Sequence, residues 1–402
     1  MTPPSDAQPF RIALVGVGAR AGLAQHVEPA GAVLVATVDP DPAVAQRVTD
    51  LFGVGVPRYD DVATLLAHHP DLDAAIVTSP DDTHHAVTAA LLEAGVAAYV
   101  EKPLAITTED ADDLLAIAHR TGTRLYVGHN MRHMHVVRLM KAIIDRGEIG
   151  EVRAIWCRHF VGSGGDFYFK DWHADRSRVT GLLLQKGAHD IDVMHWLAGS
   201  STEEVVAMGD LMVYGDVTSR RDNSDRRMRD WYSTDHWPPL AQTDLNPVID
   251  VEDVSMMTMR LGNGVLASYQ QCHFTPDYWR SYTVIGTEGR LENFGDGEGG
   301  EVRVWNRRSG FLERGHLQHP IVGDADGHGD ADALTVAEFV RFARDGSPTD
   351  TSPLAARDAV AAGVAATTSL RTGATPQRVP PVPVEIADYF RGHQVRQPGP
   401  ST

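Results

Sequence analysis

Residues 11–22, RIALVGVGARAG, constrain the fold more than any other stretch. An apolar run passes directly into Gly-x-Gly, and a second apolar run, VLVATVDPDP at 33–42, follows it and carries an acid. Strand, glycine turn, helix and strand in that order predict the opening βαβ unit of a dinucleotide-binding domain. Gly16 permits the tight turn and Gly18 lets a pyrophosphate approach the backbone. Ala21 occupies the place where a third glycine usually lets helix and strand pack. Ala19 and Arg20 complete the turn that would line the cofactor, with the pyrophosphate on the helix N-terminus. Asp39 can accept hydrogen bonds from both ribose hydroxyls, and Pro40-Asp41-Pro42 bring no arginine for a 2′-phosphate, which favours NAD over NADP. The competing reading is an ordinary glycine turn with a solvated aspartate; the flanking strands argue against it.

The alternation continues with a helix around 62–68, a strand at 73–80, a helix at 84–95, the strand VAAYV at 96–100, a helix at 108–121 and a strand at 124–130. Such spacing predicts a parallel, doubly wound α/β sheet that closes near residue 130 and binds ligands at the carboxyl ends of its strands. Thr78-Ser79-Pro80 and Glu101-Lys102-Pro103 both fall at such ends. Burial, or the positive charge of an oxidised nicotinamide, would lower the proton affinity of Lys102 and let it share a proton with a substrate hydroxyl. Taken alone, the tripeptide reads more readily as a surface turn with a solvated lysine.

A chain of 402 residues exceeds one typical core, so two domains are expected. The divisions are a disordered lead-in at 1–10, a cofactor domain at 11–130, a substrate-binding and oligomerisation domain at 131–390, and a disordered tail at 391–402. The second domain opens with an amphipathic helix at 134–147 and a strand at 151–162, then a polar, aromatic-rich loop at 163–181 suited to a substrate wall. A helix at 182–199 spaces Gln185, His189, Asp192 and Trp196 along one side. Alternating runs from about residue 200 predict an open antiparallel sheet. An insertion at 216–250 interrupts them; its charged half reads as a surface loop. Trp231, Tyr232, His236 and Trp237 in its second half suit either stacking on a sugar ring or packing against a neighbouring subunit. Trp172, His173, Trp231, Trp237, Gln271, His273 and Tyr278 are candidate pocket residues, and two further helices are expected near 331–344 and 353–372.

Lys and Arg number 36 against 54 Asp and Glu, and the net charge of −18 argues against nucleic acid and anionic membranes as partners. Two cysteines, Cys157 and Cys272, without CxxC spacing favour a reducing cytoplasm, and the first ten residues have neither the basic segment nor the apolar core of a signal. No His pair has zinc spacing within an expected helix, so no metal is expected.

GVGARAG with Asp39, SPDDTHHA, VEKPLA, VGHNMRHMHVV, GEIGEV and KGAHDID occur in an order and spacing that resemble the glucose–fructose oxidoreductase / inositol dehydrogenase / MocA family over residues 11 to about 290. The resemblance implies an N-terminal Rossmann domain and an α+β C-terminal domain with a large open antiparallel sheet, through which subunits pair as homodimers or homotetramers. It implies hydride transfer between a nicotinamide and a secondary alcohol carbon of a sugar, glycoside or cyclic polyol. By resemblance Lys102 is the catalytic lysine and His189 the histidine of the second-domain helix. Neutral His189 would accept the hydroxyl proton while protonated Lys102 steadies the alkoxide. Glu101 would lie near the cofactor ribose or nicotinamide, Ser79, Pro80 and His84 under its adenosine and ribose side, and Asn130 and Arg132 in the interdomain segment, Arg132 towards substrate. Many members carry an acid four positions before the histidine; here Gln185 stands there, followed by Lys186. Gln cannot act as a base. Either His189 and Lys102 suffice, or Lys186 takes part by lowering the proton affinity of Lys102 or by binding a substrate hydroxyl or carboxylate. A redox-neutral glycosidase or lyase working through a keto-sugar, and a non-catalytic NAD-binding regulator, are the alternatives.

Overall fold

The computed structural model describes residues 8–323 and 329–395. Six parallel strands form the first sheet: β1 (Phe10–Val15), β2 (Ala32–Val38), β3 (Arg58–Tyr59), β4 (Ala74–Val77), β5 (Ala97–Val100) and β6 (Leu125–Val127). Their spatial order is β3-β2-β1-β4-β5-β6. β4, β5 and β6 are buried at every position, because helices cover both faces and leave no solvent side for polar residues. The strand order reverses between β1 and β4, which opens a crevice at their carboxyl ends. Local signals set the helix ends: Thr107 accepts from Asp110 N at 3.0 Å at the start of Thr108–Thr121, and left-handed Gly122 closes it. One expectation changes. The segment after the glycine turn, Ala21–His26, is a six-residue 3-10 helix and not a long α-helix, so the turn itself must supply most of any anion cradle.

The second sheet has nine strands: β7 (Val152–Phe160), β8 (Thr202–Asp210), β9 (Val254–Leu261), β10 (Leu266–Cys272), β11 (Trp279–Gly286), β12 (Arg290–Phe294), β13 (Glu301–Trp305), β14 (Leu317–Pro320) and β15 (Gln377–Arg378). Their order is β14-β13-β12-β11-β7-β10-β9-β8-β15, antiparallel throughout except for the parallel pair β7–β10. Strict alternation in β9 buries Met257, Met259 and Leu261 and leaves Met256, Thr258 and Arg260 outward. The inner face packs on helices Gly187–Ala198 and Pro353–Arg371. Small residues on the latter permit close approach: a Cβ on Gly363 would lie 2.9 Å from Leu184 Cα.

The chain does not leave the first core at residue 131. Helix Gly329–Asp345 returns Val336, Phe339 and Phe342 to Ile12, Leu14, Tyr99 and Tyr126, and Ala356, Val360 and Tyr389 pack with Leu91, Leu114 and Leu125. Gln394 pairs with both backbone groups of Leu125, at 2.9 and 2.7 Å, so the chain is tied to the edge strand β6 beyond residue 391, where a loose tail was expected. Phe10 already opens β1; the rest of the expected lead-in and tail, residues 1–7 and 396–402, lies outside the described residues.

The insertion at 216–250 is anchored by one buried acid. Asp166 accepts from Trp231 Nε1 through its carbonyl (2.9 Å). Its carboxylate meets Gln242 Nε2 (2.9 Å), His236 Nδ1 (2.8 Å) and the buried ammonium of Lys170 (3.2 Å). Trp231 therefore packs inside, 6% exposed, and is not a stacking platform.

Candidate active site

The glycine turn is shaped from both sides. Gly16 has φ +94°, and a Cβ there would lie 2.4 Å from Ser79 N. Gly18 faces open space, its nearest neighbour being Thr78 O at 3.9 Å, which leaves room for a pyrophosphate. Asp39 accepts from Val17 N at 2.8 Å and Asp41 N at 3.0 Å; a carboxylate offers four lone-pair sites, so capacity for ribose hydroxyls remains. Two arginines that the local sequence did not reveal approach this end. Arg47 donates to Gly18 O at 2.8 Å and Arg58 to Asp39 O.

Arg20 reaches from the turn to Glu101 (3.0 and 2.9 Å) and to Asp332 (2.8 and 2.9 Å), and Asp332 also accepts from Asn130 Nδ2 at 2.8 Å. Burial opposes the charge of Arg20, but Glu101 and Asp332 outweigh it and hold the guanidinium firmly protonated. Three residues singled out in the sequence are thus joined by a fourth, Asp332, from a helix more than two hundred residues away. Ala21 is buried with its amide on Gly18 O at 3.2 Å, and Ala19 lies in the turn between. His84 has a more structural place than expected. Its ring bridges Pro103 O (2.7 Å) and Ser79 O (3.0 Å), tying together the chain after β4 and after β5; Pro80 O and Ser79 Oγ are taken by Thr83.

Lys102 precedes a cis peptide bond to Pro103, and its Nζ donates to Gln185 O at 3.1 Å, across from the first sheet to the segment that starts the second-domain helix. Burial lowers its proton affinity, with Asp81 and Glu101 opposing and Arg20 and Arg280 assisting. Lys186, half-buried over the Tyr168 ring at 5.8 Å, is pushed down to about 7 by burial and by Arg280 and Lys102. His189 is 5% exposed, and burial beside Lys102 and Lys186 holds it well below the usual imidazole range. Lys102, Lys186 and His189 therefore converge. Tyr168 forms the shared wall, with ring centroids 5.6 Å from His173 and 5.1 Å from His273. Trp172 stacks on His173 at 3.7 Å. Trp237, 48% exposed on the insertion, makes no ring or hydrogen-bond contact with this group among the described residues.

Arg132 does not join the pocket. It is 6% exposed and forms a two-pronged pair with Asp192 at 2.7 Å on each oxygen, because a guanidinium that deep needs a matched counter-charge. Asp192 and Asp190 are both buried. Burial would raise Asp190, but Arg280 (3.0 Å) and His159 (3.0 Å) override it and hold the carboxylate ionised. Asp81 went unassigned in the sequence: it is 5% exposed, close enough to Lys102 and His173 to feel their charge, and burial raises its proton affinity. Arg280 was also missed; its only signal is an inward arginine in the alternation of β11. Elsewhere His133, Glu338 and Asp350 bring their ligand atoms within 4.8 Å of one another, and Arg138 bonds to His133 and Asp350.

A glycine-turn cradle at the carboxyl ends of a parallel sheet, with Lys102 after β5 meeting the segment that leads into the His189 helix, is a Rossmann-type arrangement. The chain belongs to the GFO/IDH/MocA oxidoreductase family: residues 10–129 match its NAD-binding Rossmann fold and 137–292 its C-terminal domain. Among curated proteins it is similar to inositol 2-dehydrogenase of Ralstonia nicotianae, 32% identical over 42% of this chain and 48% of that protein. It is also similar to 2,7-anhydro-N-acetylneuraminate hydratase of Mediterraneibacter gnavus, 29% identical over 52% of this chain and 58% of that protein. The chain thus spans no more than about three fifths of the curated relatives it matches first. A levoglucosan dehydrogenase structure with NADH and levoglucosan aligns over 93% of this chain and all of that one, with TM-score 0.74 and 19% identity, a likeness of fold. Among the described residues no helix is long and apolar enough to cross a membrane.

Proposed function

We propose that the protein is an NAD-dependent dehydrogenase that oxidises a secondary carbinol of a sugar, glycoside or cyclic polyol. The observation that carries this is the placement of Lys102 Nζ on Gln185 O, beside Lys186 and His189 and directly after Glu101 in the chain. When bound, the nicotinamide supplies the hydride acceptor. Gly16, Gly18, Asp39, Ser79 and Pro80 would hold the dinucleotide, with Arg20, Glu101 and Asn130 closing its nicotinamide side. Asp39 supports NAD over NADP, since a 2′-phosphate would meet a carboxylate already fixed by Val17 N.

The proton goes to a different group from the one the resemblance implies. An imidazolium at His189 is strongly disfavoured, so His189 serves as a neutral hydrogen-bond partner that orients the hydroxyl. Lys102, whose neutral form is favoured by burial, takes the hydroxyl proton. The charges of Lys186 and Arg280 face Lys102 and favour its neutral form. Likeness to a hydratase favours a second reading, in which the same oxidation opens a redox-neutral elimination and the hydride is returned. An absorbance assay for NADH, with NAD and NADP in parallel across pyranoses, glycosides, inositols and sugar acids, tests both. Net NADH from one subset supports the dehydrogenase. Turnover of substrate without net NADH supports the second reading, and faster reduction of NADP refutes the cofactor preference.

A further inference from the structure

A neutral substrate does not account for the charge of this pocket. The chain as a whole is at −18, yet Lys102, Lys186 and Arg280 crowd one cleft. The negative groups that face them are Asp81, Glu101, Asp190 and Asp296, and Glu101 is held by Arg20. Asp190 is taken by Arg280, His159 and Tyr282, and Asp296 accepts from Tyr278 Oη at 2.9 Å. Burial pushes Asp81 towards its neutral form. Lys186 is the cation left over; among the described residues its Nζ has only the face of Tyr168.

Beside it stand buried polar atoms without partners. Among the described residues, Arg280 is 2% exposed with no hydrogen-bond partner at Nη1, and His273 is fully buried with none at either ring nitrogen. Tyr168 links them, since its ring touches both Lys186 and His273, and the charge of Arg280 reaches its hydroxyl. A buried polar group left unpaired costs stability.

We propose that the substrate is a sugar-derived carboxylate, a uronic or aldonic acid, whose carboxylate sits on Lys186 beside Arg280 while the carbinol to be oxidised lies at Lys102. The proposal rests on the dehydrogenase reading above. One free ammonium, with the charge of Arg280 behind it, matches the single charge of a carboxylate, whereas a phosphate dianion would bring a second. The carboxylate is unchanged in the reaction. The C–H and O–H bonds of the carbinol break, a hydride leaves for NAD, a proton leaves for Lys102, and a C=O bond forms.

The test is isothermal titration of the NAD-loaded protein with D-glucuronate, D-galacturonate and D-gluconate, against D-glucose, D-galactose and D-glucose 6-phosphate, with NADH formation followed for each. At least one acid should bind about tenfold or more tightly than its neutral counterpart, the scale of one charge-assisted contact. Lys186→Met should erase that difference and Lys186→Arg should retain it, with melting curves confirming that both variants fold. Equal binding of neutral sugars, tighter binding of the phosphate ester, or no binding of any acid overturns the proposal. Acid binding without NADH supports the carboxylate site and counts against the dehydrogenase. NADH from neutral sugars alone does the reverse.

Discussion

Two substitutions in the glycine turn separate folding from cofactor binding. Gly16→Ala places a methyl carbon 2.4 Å from Ser79 N, 2.6 Å from Ser79 Cα and 2.7 Å from Thr78 C. All three are backbone atoms, and Thr78 is fastened by its amide to Val15 O at 2.7 Å and by its hydroxyl to Gly16 O at 2.6 Å, so no flexible end can yield. The φ of +94° adds about 1–2 kcal/mol of left-handed strain for a residue with a Cβ. Overpacking adds about 1–3 kcal/mol. The combined cost, about 2–5 kcal/mol, should lower the melting temperature by about 2–6 °C. Gly18→Ala meets nothing nearer than Thr78 O at 3.9 Å, so without cofactor its stability should stay within about 0.5 kcal/mol of wild type. Its methyl would occupy the approach of the pyrophosphate, and NAD affinity should fall at least about tenfold. Thermal unfolding without NAD, followed by NAD titration monitored by fluorescence, reads both effects. Gly18→Ala binding NAD with wild-type affinity, or destabilising the protein as much as Gly16→Ala, would refute the reasoning.

Three further predictions follow from the buried charges. Arg132→Met strips Asp192 of its main counter-charge and should cost about 3–5 kcal/mol in chemical denaturation; wild-type stability with a raised KM would return Arg132 to the substrate. Asp166→Asn leaves the Lys170 ammonium buried without its carboxylate, and should destabilise by a similar amount and speed proteolysis within 216–250; unchanged cleavage would show that the insertion is held elsewhere. Lys186 has a folded-state value of about 7 against an ordinary lysine near 10.5, so the unfolded chain binds more protons between those values and stability rises with pH across that window. Burial, Arg280 and Lys102 drive this against Asp190 and Asp296. Lys186→Met should therefore raise the melting temperature at pH 6, with the gain shrinking towards pH 10, and a loss at pH 6 would contradict the cause assigned.

Local signals were the legible ones. The apolar runs of β1, β4 and β5, the left-handed Gly16 and the Asp39 strand end are properties of short segments, and they specify the cofactor half. What escaped depends on distant pairing. The parallel β7–β10 contact joins strands more than a hundred residues apart, and nothing in either strand distinguishes it from an antiparallel neighbour. Helix Gly329–Asp345 reads as amphipathic wherever it packs, so its return to the first core, and with it the Asp332 link to Arg20 and Asn130, was invisible. Asp81 stood in plain view within SPDDTHHA, yet its burial comes from the packing of Arg176–Val179 against its turn. Arg132 was placed towards substrate by resemblance alone, and its pairing with Asp192, sixty residues on, was not legible in the sequence. Trp231 and Trp237, level in the sequence, diverged because only Trp231 found a buried acceptor, Asp166 O.

The central claim is that Lys102 moves the proton while the glycine turn holds NAD. The most direct test is NADH formation by wild type and Lys102→Met on the sugar and sugar-acid panel, with NAD binding measured on both proteins. The account predicts NAD reduction by wild type on at least one member. It also predicts a fall of about 10²–10⁴-fold in the variant, with NAD affinity largely kept. Wild-type turnover in Lys102→Met, or no reduction by wild type on any member while NAD remains bound, would contradict it.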